Sequence, residues 1–399
     1  MGLFTKYINK YIEEKFADCP IKIDRERCDA VNQYCQEICI ESCPNQAIAK
    51  DAQTIDYTRC QACGCCVSNC PNGALSLINL KDETIIRSIL QNSSGKKVFR
   101  FGCSRSSNYH LKKEEFNIKA ISQIEVDCLA RLYEGVLLLP FANGVNEIWV
   151  DVASCKNCSK NQSSMVLACI NSNVQYSIEW LEQLDKEGVK LVIASEPPEF
   201  IMAEVKEQSN KLNSLNRRDF FAHLGSGVKY RSLGIVGEVA DHVLINPELK
   251  DRMALKPNER RNSPPLQREI LLAVSSKLDQ TKDTEKTIAN FEEMKIADGC
   301  MLCNVCSRLC PTGAIEQKKD EINGKGSLTY WPSRCIQCKK CEDKCLYRYV
   351  SFADNIRIND FINQNEILAY EVKLVKCKKC KDSFPIPLAK DELCPICQK

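Results

Sequence analysis

The sequence predicts a multidomain α+β chain. Two cysteine-rich modules flank a small α/β domain with a parallel sheet and a helical linker, and a four-cysteine knuckle closes the chain. Three observations carry this reading. The chain has 399 residues, 44% hydrophobic and 27% charged, which is too long and too apolar for a disordered polymer and leaves room for roughly two to three domains. It holds 27 cysteines against 3 histidines (His110, His223 and His242). Those cysteines fall in tight runs near both ends, and short β-rich runs alternating with helical stretches lie between them.

Composition excludes several classes. With 55 Lys+Arg against 52 Asp+Glu and a formal charge of +3, no global field marks a nucleic-acid or membrane-surface binder. The odd cysteine count and spacings of two to three residues suit metal ligation better than disulfides. Residues 3–16 are amphipathic but broken by Lys6, Lys10, Glu13, Glu14 and Lys15, so no signal peptide is read there. No apolar run approaches the roughly 18 residues of a membrane span, and the best candidate, 135–145, contains Pro140 and Asn143. The default compartment is a reducing cytoplasm. Arg217-Arg218-Asp219-Phe220-Phe221 looks like a twin-arginine export motif, but it lies mid-chain with no apolar segment after it.

An internal repeat organises the chain. Cys43-Pro44-Asn45-Gln46-Ala47-Ile48, Cys70-Pro71-Asn72-Gly73-Ala74-Leu75 and Cys310-Pro311-Thr312-Gly313-Ala314-Ile315 are copies, each following a run of cysteines. Cys60-x2-Cys63-x2-Cys66-x3-Cys70-Pro71 and Cys300-x2-Cys303-x2-Cys306-x3-Cys310-Pro311 resemble bacterial two-cluster ferredoxins position by position. Cys335-x2-Cys338-x2-Cys341-x3-Cys345 keeps the spacing with Leu346 in place of proline, and Cys28-x6-Cys35-x3-Cys39-x3-Cys43-Pro44 stretches the first loop. A cubane cluster needs four thiolates converging from different directions, and in that family the fourth comes from the partner motif.

The resemblance therefore implies two ferredoxin-like modules with crossed ligation and four 4Fe-4S clusters. Cys28, Cys35, Cys39 and Cys70 would hold the first, and Cys60, Cys63, Cys66 and Cys43 the second. Cys300, Cys303, Cys306 and Cys345 would hold the third, and Cys335, Cys338, Cys341 and Cys310 the fourth. Ile21-Lys22-Ile23 and Leu328-Thr329-Tyr330 supply β-forming stretches before the cysteine loops. Zinc would also accept four thiolates, but its sites usually pair two separated C-x2-C knuckles rather than runs of four.

Between the modules, Val98-Phe99-Arg100-Phe101, Ile124-Glu125-Val126, Ile148-Trp149-Val150-Asp151-Val152 and 189–194 read as strands, with helices over 131–142 and 164–187. Strand, crossover and strand favour a parallel sheet. Cys103, Cys128, Cys155 and Cys158 follow strands and Cys169 opens the next helix, so five thiols are expected in one crevice at the carboxyl ends of the strands. Val126-Asp127-Cys128-Leu129-Ala130-Arg131, Gly144-Val145-Asn146-Glu147-Ile148-Trp149-Val150 and Cys155-x2-Cys158 resemble the iron-sulfur delta subunit of methyl-viologen-reducing hydrogenase. That resemblance implies a 2Fe-2S centre passing electrons to heterodisulfide reductase. A zinc site, a redox-active disulfide or packed thiols are the alternatives.

Residues 200–298 hold no cysteine and read as a helical connector, with a loop over 258–265 and a helix over 266–278. Phe220 and Phe221 are expected as packing anchors. Cys377-x2-Cys380 and Cys394-x2-Cys397, with Pro385, Pro387 and Pro395 shaping the turns, resemble zinc ribbons and rubredoxins, with zinc favoured over mononuclear iron. Lys373, Lys376, Lys378, Lys379 and Lys381 around the first knuckle read as a solvated charged face rather than a nucleic-acid contact. Cys65 adjoins a ligand and reads as a substitute for it or a packed thiol, and Cys19 is left without a role.

The expected division is a first dicluster module over 1–96, the five-cysteine α/β domain over 97–200, the helical linker over 201–298, a second dicluster module over 299–370 and the four-cysteine tail over 371–399. This order also resembles bacterial 4Fe-4S proteins of formate dehydrogenase and molybdoenzyme systems. The expected function is electron transfer to or from a larger redox enzyme or a soluble carrier, in an anaerobic or microaerobic host. The alternatives are a reductase of disulfides or small substrates at the middle cysteines, and a redox-sensing or maturation factor. No compact His-Asp-Ser or phosphate-loop motif points to acid-base, serine or nucleotide chemistry.

Overall fold

A computed structural model describes residues 20–25, 27–28, 38–51, 54–78, 81–113, 121–161, 163–214, 263–281, 283, 285–386, 392–394 and 397–398. Cys19, Cys35, the stretch 3–16, the Arg217–Phe221 motif, Pro387 and Pro395 lie outside the described residues.

In the first module β1 (Ile21–Ile23) pairs antiparallel with β2 (Leu75–Leu77), Ile21 opposite Leu77. Two one-turn helices, α1 (Ile38–Glu41) and α2 (Cys65–Ser68), lie between them in the chain. Ile21, Ile48, Ile55, Val67 and Leu77 form a small core with Cys39 and Cys66. So little apolar surface implies that the module depends on what its thiols bind.

The middle domain follows as α3 (Asp82–Ser93), β3 (Val98–Cys103), α4 (Ser104–Lys113), β4 (Gln123–Val126), α5 (Glu134–Ala142), β5 (Glu147–Asp151), α6 (Met165–Gln183), β6 (Lys190–Ala194) and α7 (Glu199–Ser214). The four strands are parallel in the order β4-β3-β5-β6, as the alternation of strands and crossovers predicts. Every residue of β3 is buried, as expected of a central parallel strand covered on both faces. All four carboxyl ends point the same way, and this places the middle cysteines.

Helix α8 (Leu266–Leu278) belongs to this core: Ile270, Leu271, Val274 and Leu278 are buried in it, and Trp180 of α6 donates its indole N–H to Ser275 Oγ at 2.8 Å. Its approach to α5 requires Gly135, where a Cβ would meet the Leu271 nitrogen at 3.0 Å.

The remaining elements are β7 (Thr287–Ile296), α9 (Val305–Leu309), β8 (Ile315–Asp320), β9 (Lys325–Tyr330), α10 (Lys340–Asp343), β10 (Val350–Arg357), α11 (Ile358–Ile362), β11 (Ile367–Lys376) and β12 (Ser383–Pro385). β7 pairs antiparallel with β10, and a second sheet runs β12-β11-β9-β8.

Two boundaries differ from the sequence reading. The span 201–298 is not helical throughout, because the ten-residue strand β7 lies in it. Met294 and Ile296 alternate there with Glu293 and Lys295, a period-two pattern, and Met294 is fully buried in the second module. The tail is also not separate: β11 crosses residue 370 and pairs with β9 on one side and β12 on the other. No described helix is long and apolar enough to cross a membrane.

Candidate metal centres

The cysteine loops share a backbone device. In the runs beginning at Cys60, Cys300 and Cys335, the residue before the second cysteine is left-handed: Ala62 (φ 50°), Leu302 (φ 51°) and Gln337 (φ 57°). The residue after that cysteine is left-handed too: Gly64 (φ 85°), Asn304 (φ 65°) and Lys339 (φ 57°). Three residues past each terminal cysteine the same conformation recurs at Gln46, Gly73, Gly313 and Arg348. Such turns cost an ordinary side chain about 1–2 kcal/mol each, but they coil the chain so that alternate side chains converge on one point.

The coil also turns amides inward. The N–H four residues beyond each terminal cysteine donates to its sulfur: Ala47 to Cys43 at 3.2 Å, Ala74 to Cys70 at 3.3 Å, Ala314 to Cys310 at 3.2 Å and Tyr349 to Cys345 at 3.2 Å. An N–H aimed at sulfur favours the thiolate and tunes the potential of a cluster held there. Leu346 at the proline position leaves this bond intact, so its loss of proline does not disturb the amide turned onto Cys345.

The convergent sets cross between loops. Cys43, Cys60, Cys63 and Cys66 line one cavity, and Cys310, Cys335, Cys338 and Cys341 line another. Cys300 senses the charge of Cys303 and Cys345, and Cys306 that of Cys300 and Cys303. Cys70 is likewise next to Cys28. Burial pushes the thiols of Cys66, Cys70, Cys300 and Cys306 up, the last to about 12, and neighbouring sulfurs add to the effect at each. Buried thiols crowded in this way are poor as a bare set and suited to a cation that draws off their protons. The donor set, its amide hydrogen bonds and its burial fit iron-sulfur clusters.

Residues 299–349 match the family model of the 4Fe-4S dicluster domain, and residues 54–76 match that of the 4Fe-4S binding domain. The chain carries two 4Fe-4S ferredoxin-type domains. A comparison with curated proteins gave no match.

In the middle domain, Cys103 ends β3, Cys128 follows β4, and Cys155 and Cys158 lie on the 3-10 turn after β5. Cys155 senses Cys103, Cys128 and Cys158, and burial with these neighbours pushes its thiol up to about 12. Arg105 donates to Cys158 Sγ at 3.0 Å. Beneath these strand ends Arg100 and Asp151 form a fully buried ion pair at 2.5 Å, joined by His110 Nε2 at 3.1 Å from the same carboxylate oxygen.

Cys169 corrects the five-thiol crevice. Its sulfur lies against Cys65, Asn69 Nδ2 at 3.4 Å and Ser68 Oγ at 3.7 Å, all on or beside α2 of the first module. The helical phase of α6 is the reason: Val166, Ile170 and Val174 face the core, leaving Cys169 on the flank turned to α2. The middle thiols and the first module are nonetheless adjacent, since Cys128 senses Cys63, and Lys160 donates to the Ala62 carbonyl at 3.4 Å. Gly64 completes that junction, because a Cβ there would meet Arg131 Cβ at 2.9 Å.

The two ferredoxin-type modules also border a common space. Cys70 and Ile336 line a single cavity of about 290 Å³ together with Glu134, Trp180 and Arg268. Arg268 stacks over Phe291 and Phe361 at 4.9 and 5.1 Å and feels the charges of Cys335 and Glu134. The Tyr330 phenol adjoins Cys335, and burial pushes it well above its ordinary range.

At the C-terminus the sulfurs of Cys377, Cys380, Cys394 and Cys397 lie within 4.8 Å of one another. Hydrogen bonds from the N–H groups of Cys380 and Cys394 lower the Cys377 thiol to about 6. Four thiols at this separation could hold one metal ion in a tetrahedral site. Cys377→Ser is therefore expected to lose one metal ion per chain and to expose 377–398 to limited proteolysis. Elemental analysis showing an unchanged metal content would count against the site.

Proposed function

We propose that the protein is an electron-transfer component that relays single electrons along a row of thiolate sites to or from a larger redox enzyme. When bound, 4Fe-4S clusters supply one-electron carriers, and the chain holds them, spaces them and tunes them through amide-to-sulfur bonds and burial. The observation that carries the reading is adjacency. The thiols of Cys103, Cys128, Cys155 and Cys158 neighbour the set of Cys43, Cys60, Cys63 and Cys66 through the Cys128 and Cys63 pair. Cys66 also senses Cys39, which leads to the set containing Cys28 and Cys70. Across the cavity lined by Cys70 and Ile336 lies the set of Cys310, Cys335, Cys338 and Cys341, and Cys341 in turn senses Cys306 of the last set.

On this reading the middle domain, although central in the sequence, sits at one end of the relay, where a 2Fe-2S centre on its four strand-end cysteines would fit. The other end carries the exposed Cys303, with exposed Leu346 and Tyr347 next to Cys345, and suits contact with a redox partner of the hydrogenase, formate dehydrogenase, molybdoenzyme or heterodisulfide-reductase kind.

Anaerobic iron, acid-labile sulfide and zinc analysis with paramagnetic resonance tests this. The expected result is about sixteen irons from four cubanes, up to about two more from the middle site, and one zinc in the tail. Folded, oxygen-protected protein that is colourless and iron-free would refute it.

A further inference from the structure

Cys65 and Cys169 have no place in any of the thiolate sets, yet they meet. Cys65 is completely buried on α2, Cys169 is half-buried on α6, and the two come together across the junction of the first module and the middle domain, where Ser68 Oγ and Asn69 Nδ2, both bonded to the Cys65 carbonyl, lie 3.7 and 3.4 Å from Cys169 Sγ. The Cys65 sulfur also lies 3.6 Å from Cys63 Sγ, a member of the nearest cluster nest. Three polar side chains in contact with Cys169 Sγ (Ser68, Asn69 and Asn173) line a cavity of about 290 Å³, so a space that a small molecule could enter lies just beyond the side chains around this half-buried sulfur, whereas Cys65 is closed off.

We propose that Cys65 and Cys169 are a redox-active dithiol/disulfide pair that reduces small disulfides with electrons drawn from the cluster nest containing Cys63. The pair rests on the reading that this nest holds a cluster. The chemistry balances in three steps. Cys169, as thiolate, attacks one sulfur of the disulfide RSSR; the S–S bond breaks, a mixed disulfide forms on Cys169, and one RSH leaves after taking a proton. Cys65 then attacks the Cys169 sulfur, the second RSH leaves with the Cys65 proton, and a Cys65–Cys169 disulfide forms. Two successive one-electron transfers through the nest, with uptake of two protons, restore the dithiol. The net change is RSSR plus two electrons and two protons giving two RSH, the electrons coming from a one-electron carrier protein at the far end of the relay.

The roles follow from position. Cys169 is the more exposed of the two and receives a hydrogen bond from Asn69, a residue that lines the cavity, which suits the attacking thiol. Cys65 is shut away between Cys169 and Cys63, which suits the thiol that resolves the mixed disulfide and faces the cluster.

The test uses the full-length, anaerobically loaded protein with its iron measured first. It is treated with oxidised glutathione, quenched in acid with N-ethylmaleimide, digested and examined by mass spectrometry. A peptide containing Cys65 joined by a disulfide to one containing Cys169 is expected. Photoreduced deazaflavin should then deliver two more electrons per chain to the oxidised wild type than to Cys169→Ser or Cys65→Ser, with the iron content of both variants unchanged. Fully loaded protein in which both cysteines remain alkylated and the electron count equals that of the variants would overturn the pair. Loss of iron in Cys169→Ser would overturn it differently, by making that residue a ligand. Wild type that contains no iron would instead defeat the cluster reading on which the pair depends.

Discussion

Cys335→Ser is expected to cost one complete cubane, about four of the irons, and to loosen the second module around it. Cys335 is buried, accepts the Gln337 N–H at 3.4 Å and adjoins Tyr330, whose side chain is wholly inside. The surrounding core is small, with Met294, Leu302, Ile315, Leu328, Val350 and Leu374 as its main aliphatic members, and Cys300, Cys335 and Cys341 occupy positions within it. A core of that size cannot by itself offset the left-handed turns at Leu302, Asn304, Gln337, Lys339 and Arg348. Binding at the thiolates must supply the difference, so loss of the cluster should appear as faster hydrogen exchange in β7 and β10, where Gln337 Nε2 also holds the Glu292 carbonyl.

The crossed arrangement sharpens this prediction. Cys310→Ser should remove the same cluster as Cys335→Ser, because Cys310 lines the same cavity as Cys335, Cys338 and Cys341. Cys345→Ser should remove the other, because Cys345 is grouped with Cys300. Paramagnetic resonance of the three variants compares them directly. Identical spectra from Cys345→Ser and Cys335→Ser, both unlike Cys310→Ser, would mean that each loop keeps its own fourth ligand.

The parts of the molecule that were legible in the sequence are those whose physics is local. Cys-x2-Cys-x2-Cys-x3-Cys fixes a loop because each thiol must reach one centre within a few residues, and the parallel sheet shows in the buried runs around Phe99, Ile124, Val150 and Leu191. Helix α8 was legible as an element but not as part of the middle core, because packing against Trp180 and Gly135 is a long-range fact. Cys169 was misplaced because strand-end logic ignores helical phase, and its neighbour on α2 was the leftover Cys65. That pairing had one signal, an extra cysteine inside an otherwise regular ligand run. The adjacency of the two modules had none, since Cys70 and Ile336 come to line one cavity only after the whole middle domain has folded between them in sequence.

Asp151→Asn should destabilise the middle domain by about 3–5 kcal/mol, because it strands a buried guanidinium. Arg100 is completely buried in the centre of β3, and its Nε reaches Asp151 Oδ2 at 3.0 Å. Gln123, Ser106 and Ser107 satisfy the remaining donors, but all three are neutral. The nearest other carboxylate oxygen, on Glu125, is 3.9 Å away and belongs to a side chain that is 42% exposed, so it cannot replace the lost charge. Asparagine keeps the shape and one acceptor while removing the charge. The damage should therefore concentrate in β3 and β5, where amide exchange measures the opening free energy locally without requiring the loaded chain to unfold in two states.

The pH dependence carries the matching sign. Burial alone would raise the Asp151 carboxyl, but the hydrogen bond from His110 and the charge of Arg100 outweigh it and hold the group below its ordinary value. A depressed folded value means that the pair's contribution is fully present above the unfolded carboxyl range, about 3.9 for aspartate, and fades as pH falls through the lower folded value. Wild-type protection of β3 and β5 should accordingly fall in acid, whereas Asp151→Asn should lack that step. Because β3 ends at Cys103 and β5 leads directly into Cys155, the same substitution should release any metal held at the strand ends while leaving the second module loaded. Protection within about 0.5 kcal/mol of wild type would show that the neutral partners suffice for Arg100.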